Sequence, residues 1–298
     1  MKIFDCFMYY DEDIVLDLRL NVLNRYVDKF VIVESKYTHS GEKRKLLFDI
    51  NKYSKFKDKI VYIVQRDQPN GLKPIDSSEN EGEKSFRIIS NAHLREHNQR
   101  NFILKGLTKS DLDDLILVSD VDEIPNLEGT NLKNLKNRLI LFEQNLFYYK
   151  LNRYLPNFKW YGTKACKKKY LKSPQWLRSI KNNHYPFFRI DTLFSNTKYI
   201  DKFIVKNGGW HFCNLKNVKD IETKLKSYLH HRDYEVEELG IEKIKKLMEE
   251  NKTIYDMYGD KASKKYGDNS RINLEKFEIN KLPLYIQNNL IKFDNWVD

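Results

Sequence analysis

The stretch with the most chemical content is Leu115-Ile116-Leu117-Val118-Ser119-Asp120-Val121-Asp122-Glu123-Ile124-Pro125, an apolar run that ends in three carboxylates and a proline. Asp120 and Asp122 stand two residues apart. Around a tight bend, that spacing aims both carboxylates at one hard cation, and a cation held there could carry a diphosphate. The plainer alternative is an acidic turn that caps a helix or faces water. His211 is the next candidate. In Asn207-Gly208-Gly209-Trp210-His211-Phe212 an imidazole sits among large apolar residues after a glycine pair. A histidine in such company is more often a satisfied core residue than a ligand, but the glycines permit the close backbone approach common near ligands. Folded over Asp122, His211 completes an oxygen-plus-imidazole site suited to Mn²⁺, with Mg²⁺ the alternative. Arg100, about one loop before the acidic run, could neutralise a phosphate, pair with Asp120 or face solvent. Glu34 opens the polar run Glu34-Ser35-Lys36-Tyr37-Thr38-His39-Ser40-Gly41, where a doubly wound sheet would hold a nucleotide's base and ribose. An ordinary polar loop is the competing reading. Trp160 and its aromatic neighbours could stack on sugar rings or fill a core.

Elements must exist to hold these groups. The run from Leu115 has the length and β-branched content of a strand buried on both faces, so its acidic end emerges at the carboxyl edge of a parallel sheet. Ile124-Pro125 forces an extended exit. Upstream, residues 2–10 and 29–34 read as strands, with Leu16, Leu20, Leu23 and Val27 at helical spacing between them and Asp11-Glu12-Asp13 as an acidic helix start. A third strand spans residues 59–64, and a long amphipathic pattern runs from Glu83 to about Leu107. Strands alternating with helices predict an α/β fold with a mostly parallel central sheet and flanking helices. Residues 139–172 are aromatic-rich and read as a small antiparallel part. A strand-like stretch at 199–206 follows, then C-terminal helices at 217–230, 240–250 and 283–292. With no repeat and no convincing linker, we expect residues 1–215 to form the main domain and 216–298 a helical extension packed on it.

Composition sets the outer limits. A chain of 298 residues, 41% hydrophobic and 13% aromatic, supports one sizeable domain. No stretch approaches the ~20 apolar residues of a membrane span, and Met1-Lys2-Ile3-Phe4-Asp5 lacks a signal-peptide core. The expectation is a cytoplasmic protein. Cys6, Cys166 and Cys213 are odd in number and far apart, which argues for free thiols over disulfides or a structural zinc site. The formal charge of +11 is spread through the chain and no nucleic-acid motif accompanies it. Solvated lysine faces are expected, with peripheral attraction to an anionic membrane second and nucleic acid not expected.

Taken together, these phrases resemble glycosyltransferase family 17, typified by the β-1,4-mannosyl-glycoprotein 4-β-N-acetylglucosaminyltransferase. The resemblance rests on Ile3-Phe4-Asp5-Cys6-Phe7 with Glu12-Asp13, on Val31-Ile32-Val33-Glu34 through Gly41, on Ser119-Asp120-Val121-Asp122-Glu123-Ile124-Pro125, and on Gly209-Trp210-His211-Phe212, in that order. It implies a GT-A fold, a UDP-sugar donor with UDP-GlcNAc as precedent, a divalent metal and inversion at the anomeric carbon. The acceptor does not carry over; a cell-surface or lipid-linked glycan is the expectation. Asp120, Asp122 and His211 are then the expected metal ligands, with Glu34, Arg100 and Asp120 binding the donor. Inversion needs a general base. Glu123 and Asp191 are the first candidates, followed by Asp233 and Glu235, although Glu123 could instead cap its turn and Asp191 could be an edge-strand carboxylate. The rivals are another Asp-x-Asp enzyme of nucleotide sugars or sugar phosphates, and a non-catalytic basic protein. A nucleotidyltransferase would carry a glycine-rich loop after its first strand, where this chain has Tyr9-Tyr10-Asp11-Glu12-Asp13.

Overall fold

A computed structural model describes residues 1–76, 78–132, 135–255 and 273–298. Residues 256–272 of the expected C-terminal extension lie outside the described residues. The anticipated alternation is present: β1 (Ile3–Tyr9), α1 (Asp13–Leu23), β2 (Lys29–Ser35), β3 (Ile60–Gln65), α2 (Glu81–Asn101), α3 (Ile103–Gly106) and β4 (Leu115–Asp120). β1 pairs in parallel with both β2 and β4, and β2 with β3. The period-two alternation of side chains divides the core between two faces. Ile3 and Phe7 of β1 pack with Val15 and Leu16 of α1, whereas Phe4 and Cys6 pack with Ile103 of α3. α2 starts at Asn80, whose side chain accepts from the Glu83 N–H while Glu83 reaches back to the Asn80 N–H, a reciprocal cap for two otherwise unpaired donors.

Beyond β4 the chain builds β5 (Glu123–Pro125), β6 (Leu139–Phe142), β7 (Gln144–Tyr148), β8 (Arg153–Trp160) and β9 (Lys164–Lys167). A short helix α4 (Pro174–Arg178), α5 (Asp191–Phe194), β10 (Lys202–Val205) and β11 (Gly209–Cys213) come next. Two sheets result. The first has seven strands in the order β10-β6-β9-β4-β1-β2-β3, with β9 antiparallel to both of its neighbours. The second has the order β12-β8-β7-β11-β5, where β12 is Glu275–Lys276. It is antiparallel except for β7 against β11. The aromatic region therefore divides between the sheets instead of flanking one. Phe147 and Phe212 fill the second sheet's contact with the main core, their ring centroids 5.1 Å apart.

The C-terminal helices are α6 (Val218–Ser227), α7 (His231–Val236), α8 (Gly240–Glu249) and α9 (Leu284–Gln287). Ile221, Leu225 and Ile244 cover the second sheet through Leu146 and Leu155. The helix expected over 283–292 is shorter than anticipated. After α9 the chain continues as a 3-10 turn over Leu290–Trp296, because Asn288 and Asn289 favour non-helical backbone. Leu282, Ile286 and Phe293 are buried in the same cluster as β1 and α1. No helix among the described residues is long and apolar enough to cross a membrane.

Candidate functional site

The acidic phrase is the crossover from one sheet to the other. Asp120 closes β4, Val121 and Asp122 turn, and Glu123 begins β5. Arg19 secures the turn from inside. It is fully buried on α1, bidentate to Asp5 of β1 at 2.6 and 2.7 Å, and its guanidinium donates to the Asp120, Val121 and Glu123 carbonyls at 2.9–3.1 Å. Burying this ion pair is tolerable because its hydrogen-bonding capacity is met in place. β11 then pairs antiparallel with β5, aligning His211 with Glu123, and the Phe212 N–H donates to the Asp122 carbonyl at 2.9 Å. Gly209 makes this approach possible. Its φ is +139°, and a Cβ there would lie 2.2 Å from the Ile124 carbonyl oxygen.

This ladder brings His211 Nε2 to 3.5 Å from Asp122 Oδ1. Cys213, two residues on and so on the same face of β11, brings its thiol into the group, and the three donor atoms lie within 4.8 Å of one another. Lys224 of α6 stands 3.8 Å from Asp122 Oδ2, and Lys216 pairs with Asp11 beside it. Burial works to raise the Asp122 carboxyl, but His211 and then Lys224 outweigh it and hold it below the usual carboxylate range. Burial pushes the Cys213 thiol up to about 11. The Nδ1 atom of His211 is buried without a hydrogen-bond partner.

Asp120 does not join this group. Side chains of β4 alternate, so Asp120 shares the face of Ile116 and Val118 and points toward α2. There Arg100 Nη2 meets one oxygen at 3.1 Å, and Arg178 Nη2, from the end of α4, meets the other at 2.8 Å. Burial opposes ionisation, yet Arg178 and Arg100 together depress the Asp120 carboxyl strongly. Arg100 thus takes the ion-pairing alternative, and it also binds Glu96 at 2.7 Å.

Three other expected residues need correcting. Glu34 does not open toward a ligand: it is fully buried, accepts from the Leu47 and Phe48 N–H groups and the Tyr62 hydroxyl at 2.7–3.1 Å, and pairs with Arg44 at 3.1 Å. It pins the loop after β2. Glu123 is fully buried as well. Its Oε2 accepts from the Asp120 N–H at 2.8 Å, and its Oε1 from Trp160 Nε1 and Arg178 Nη2 at 2.5 and 2.6 Å. With both oxygens occupied it caps its turn and cannot reach an acceptor. Gly162 is needed there, since a Cβ would lie 2.2 Å from Glu123 Cδ. Asp191 lies on an exposed helical turn, held by Arg189 and Lys198 at 2.8 Å, which lower its carboxyl to about 2. Asp233 and Glu235 on α7 pair locally with His230 and Arg232.

Trp160 bridges the polar turn and an adjoining cleft. Its ring centroid is 5.2 Å from that of His211, and it lines a cleft of about 520 Å³ with Tyr161, Arg100, Arg178 and Lys164. Burial and the nearby Arg178 push Lys164 down to about 7; its ammonium group donates to the Arg178 and Ile180 carbonyls at 2.5 and 2.6 Å. Glu12 closes the opposite side of the turn. Its Oε2 accepts from the Tyr10 and Asp11 N–H groups at 3.1 Å.

A buried carboxylate–imidazole pair at the carboxyl edge of a mostly parallel sheet, beside a cleft with an aromatic wall, lies where α/β sheets commonly hold their ligands. The chain belongs to glycosyltransferase family 17, whose profile matches residues 1–296. It is a glycosyltransferase, and membership implies a nucleotide-sugar donor and a glycan acceptor. No curated protein matches the chain. Among solved structures, HddC from Yersinia pseudotuberculosis aligns over 70% of this chain and 91% of its own, at 11% identity and a TM-score of 0.32, a likeness too slight to carry an argument.

Proposed function

We propose that this enzyme is a GT-A-type, metal-dependent inverting transferase that moves a sugar, N-acetylglucosamine by family precedent, from a UDP-sugar to a glycan. The observation that carries this reading is the 3.5 Å approach of His211 to Asp122 at the end of β4. Asp122 and His211 offer one carboxylate and one imidazole. That set fits a borderline-hard ion such as Mn²⁺ and leaves room for phosphate oxygens. When bound, the ion would act as a Lewis acid toward the charge developing on UDP.

The protein's own groups supply the rest. Lys224 and Lys216 add positive charge where a diphosphate would lie. Asp120 holds Arg100 and Arg178 in place at the wall of the cleft, and Trp160 offers a face for a sugar ring. In the transfer, the acceptor hydroxyl oxygen bonds to the anomeric carbon as the bond to the β-phosphate oxygen breaks and its electron pair leaves with UDP. The hydroxyl proton needs a base on the opposite side of the sugar. Glu12 does not meet this requirement: it lies among Lys216, Lys224 and Asp122, on the diphosphate side.

The test is calorimetry of UDP binding with and without Mn²⁺, together with transfer rates. Asp122→Ala and His211→Ala should lose the Mn²⁺-dependent part of UDP affinity, and Asp122→Ala should lose at least about a hundredfold in rate. UDP binding indifferent both to Mn²⁺ and to Asp122 would refute the proposal.

A further inference from the structure

The region between β9 and β10 carries a feature that catalysis does not use. Phe187, Phe188, Ile190, Leu193 and Phe194 are 69–87% exposed. Scattered apolar residues on a surface are ordinary, whereas five large ones in one short segment mark a contact surface. The segment is held by polar bonds at its base. The Lys181 N–H donates to the Thr197 carbonyl at 2.8 Å, the Trp176 indole to the Asn196 carbonyl at 2.6 Å, and the Thr192 hydroxyl to the Arg189 carbonyl at 2.6 Å. Arg189 and Lys198 both grip Asp191. The turn is thus tied from within while its apolar side chains point outward.

The charge around it is mostly basic. From Lys172 to Lys202 the sequence holds six Lys and Arg residues against two Asp, Asp191 and Asp201, and no Glu. Lys172 and Lys181 are exposed, and Lys172 contacts Asn196 at the loop's base at 3.3 Å. Lys202 lies over the Tyr185 ring at 4.6 Å. An apolar tip with a basic rim complements a bilayer that carries anionic headgroups, the tip entering the acyl boundary and the rim meeting lipid phosphate. A second copy of this chain would bring an identical basic rim against this one, which like-charge repulsion disfavours.

We propose that residues 185–194 are a docking loop that inserts into the interface of an anionic membrane. Ser179, Ile180, Lys181 and Asn182 line the cleft and lead directly into this loop, so docking brings the cleft close to the bilayer.

The test is flotation of the full chain with vesicles of phosphatidylcholine alone, or with about one third phosphatidylglycerol. The wild type should float with the anionic vesicles and be released by salt. The triple variant Phe187→Ser, Phe188→Ser, Phe194→Ser should lose about tenfold in partitioning with an unchanged Tm, because these side chains are exposed. Phe187→Trp should show blue-shifted emission on the anionic vesicles. Equal flotation of wild type and triple variant overturns the proposal, as does equal binding to both vesicle types or no binding at all. A wild-type dimer that the triple variant dissolves without vesicles also overturns it, in favour of self-association. No nucleotide sugar is present, so the result is independent of the catalytic reading.

Discussion

Asp122 and Asp120 look equivalent in the sequence, two carboxylates around one bend, yet they face different partners. The alternation of β4 sends Asp120 toward two arginines, while the turn frees Asp122 to meet His211. Spacing and the glycine pair made Asp122 and His211 legible. The arginine clamp was less so, because Arg178 comes from a helix of five residues with no periodic signal. Arg19 could have been found: it falls among Leu16, Leu20 and Leu23 on an apolar helix face, opposite Asp5 in an apolar strand. Glu96 yields a prediction at this scale. Burial works against its charge, but His93 and then Arg100 outweigh that and lower the carboxyl from 4.5 to about 2. A depressed carboxyl stabilises the fold fully above its unfolded pKa and loses that contribution as pH falls through the folded one. At about 1.4 kcal/mol per pH unit, this contribution is about 3.5 kcal/mol at most. In urea unfolding, Glu96→Gln should therefore be less stable than wild type at neutral pH, and the gap should close on acidification from 4.5 toward 2. A gap independent of pH would disprove the ionic role of Glu96.

At the scale of elements, β5 does the positioning, and it was not read from the sequence as a strand. Three residues carry no periodicity, so only the extended exit at Ile124-Pro125 was visible. The glycine pair before Trp210 signalled a close approach without naming what approached; β5 is the answer. Gly209→Ala adds a methyl group where φ is +139° and the Ile124 carbonyl oxygen is 2.2 Å away. Strain and forced separation should cost more than ~2 kcal/mol in thermal or urea unfolding. Under the proposed function, Mn²⁺-dependent UDP binding should be lost with it. A variant of wild-type stability and UDP affinity would show that the ladder does not need this glycine.

For the whole molecule, the parallel sheet was readable because its strands and helices alternate locally, each announced by its own period. The second sheet was not, because its pairings join residues far apart in sequence, such as β7 with β11 and β8 with β12. The C-terminal segment follows the same long-range logic: Leu282, Ile286 and Phe293 return to the cluster built by β1 and α1. Removing residues 282–298 should therefore expose the main core and abolish a cooperative thermal transition in calorimetry. A truncated chain that melts cooperatively at the wild-type Tm would mean that those three side chains are dispensable to the core.

Pairing between β5 and β11 also limits how the site can change over time. A strand can slip only by whole residues, and a slip of one would turn His211 to the opposite face of the sheet. The distance between imidazole and carboxylate therefore has no gentle adjustment. Side chains that line the neighbouring cleft can change by small steps, while the pairing of His211 with Asp122 is kept whole or lost at once.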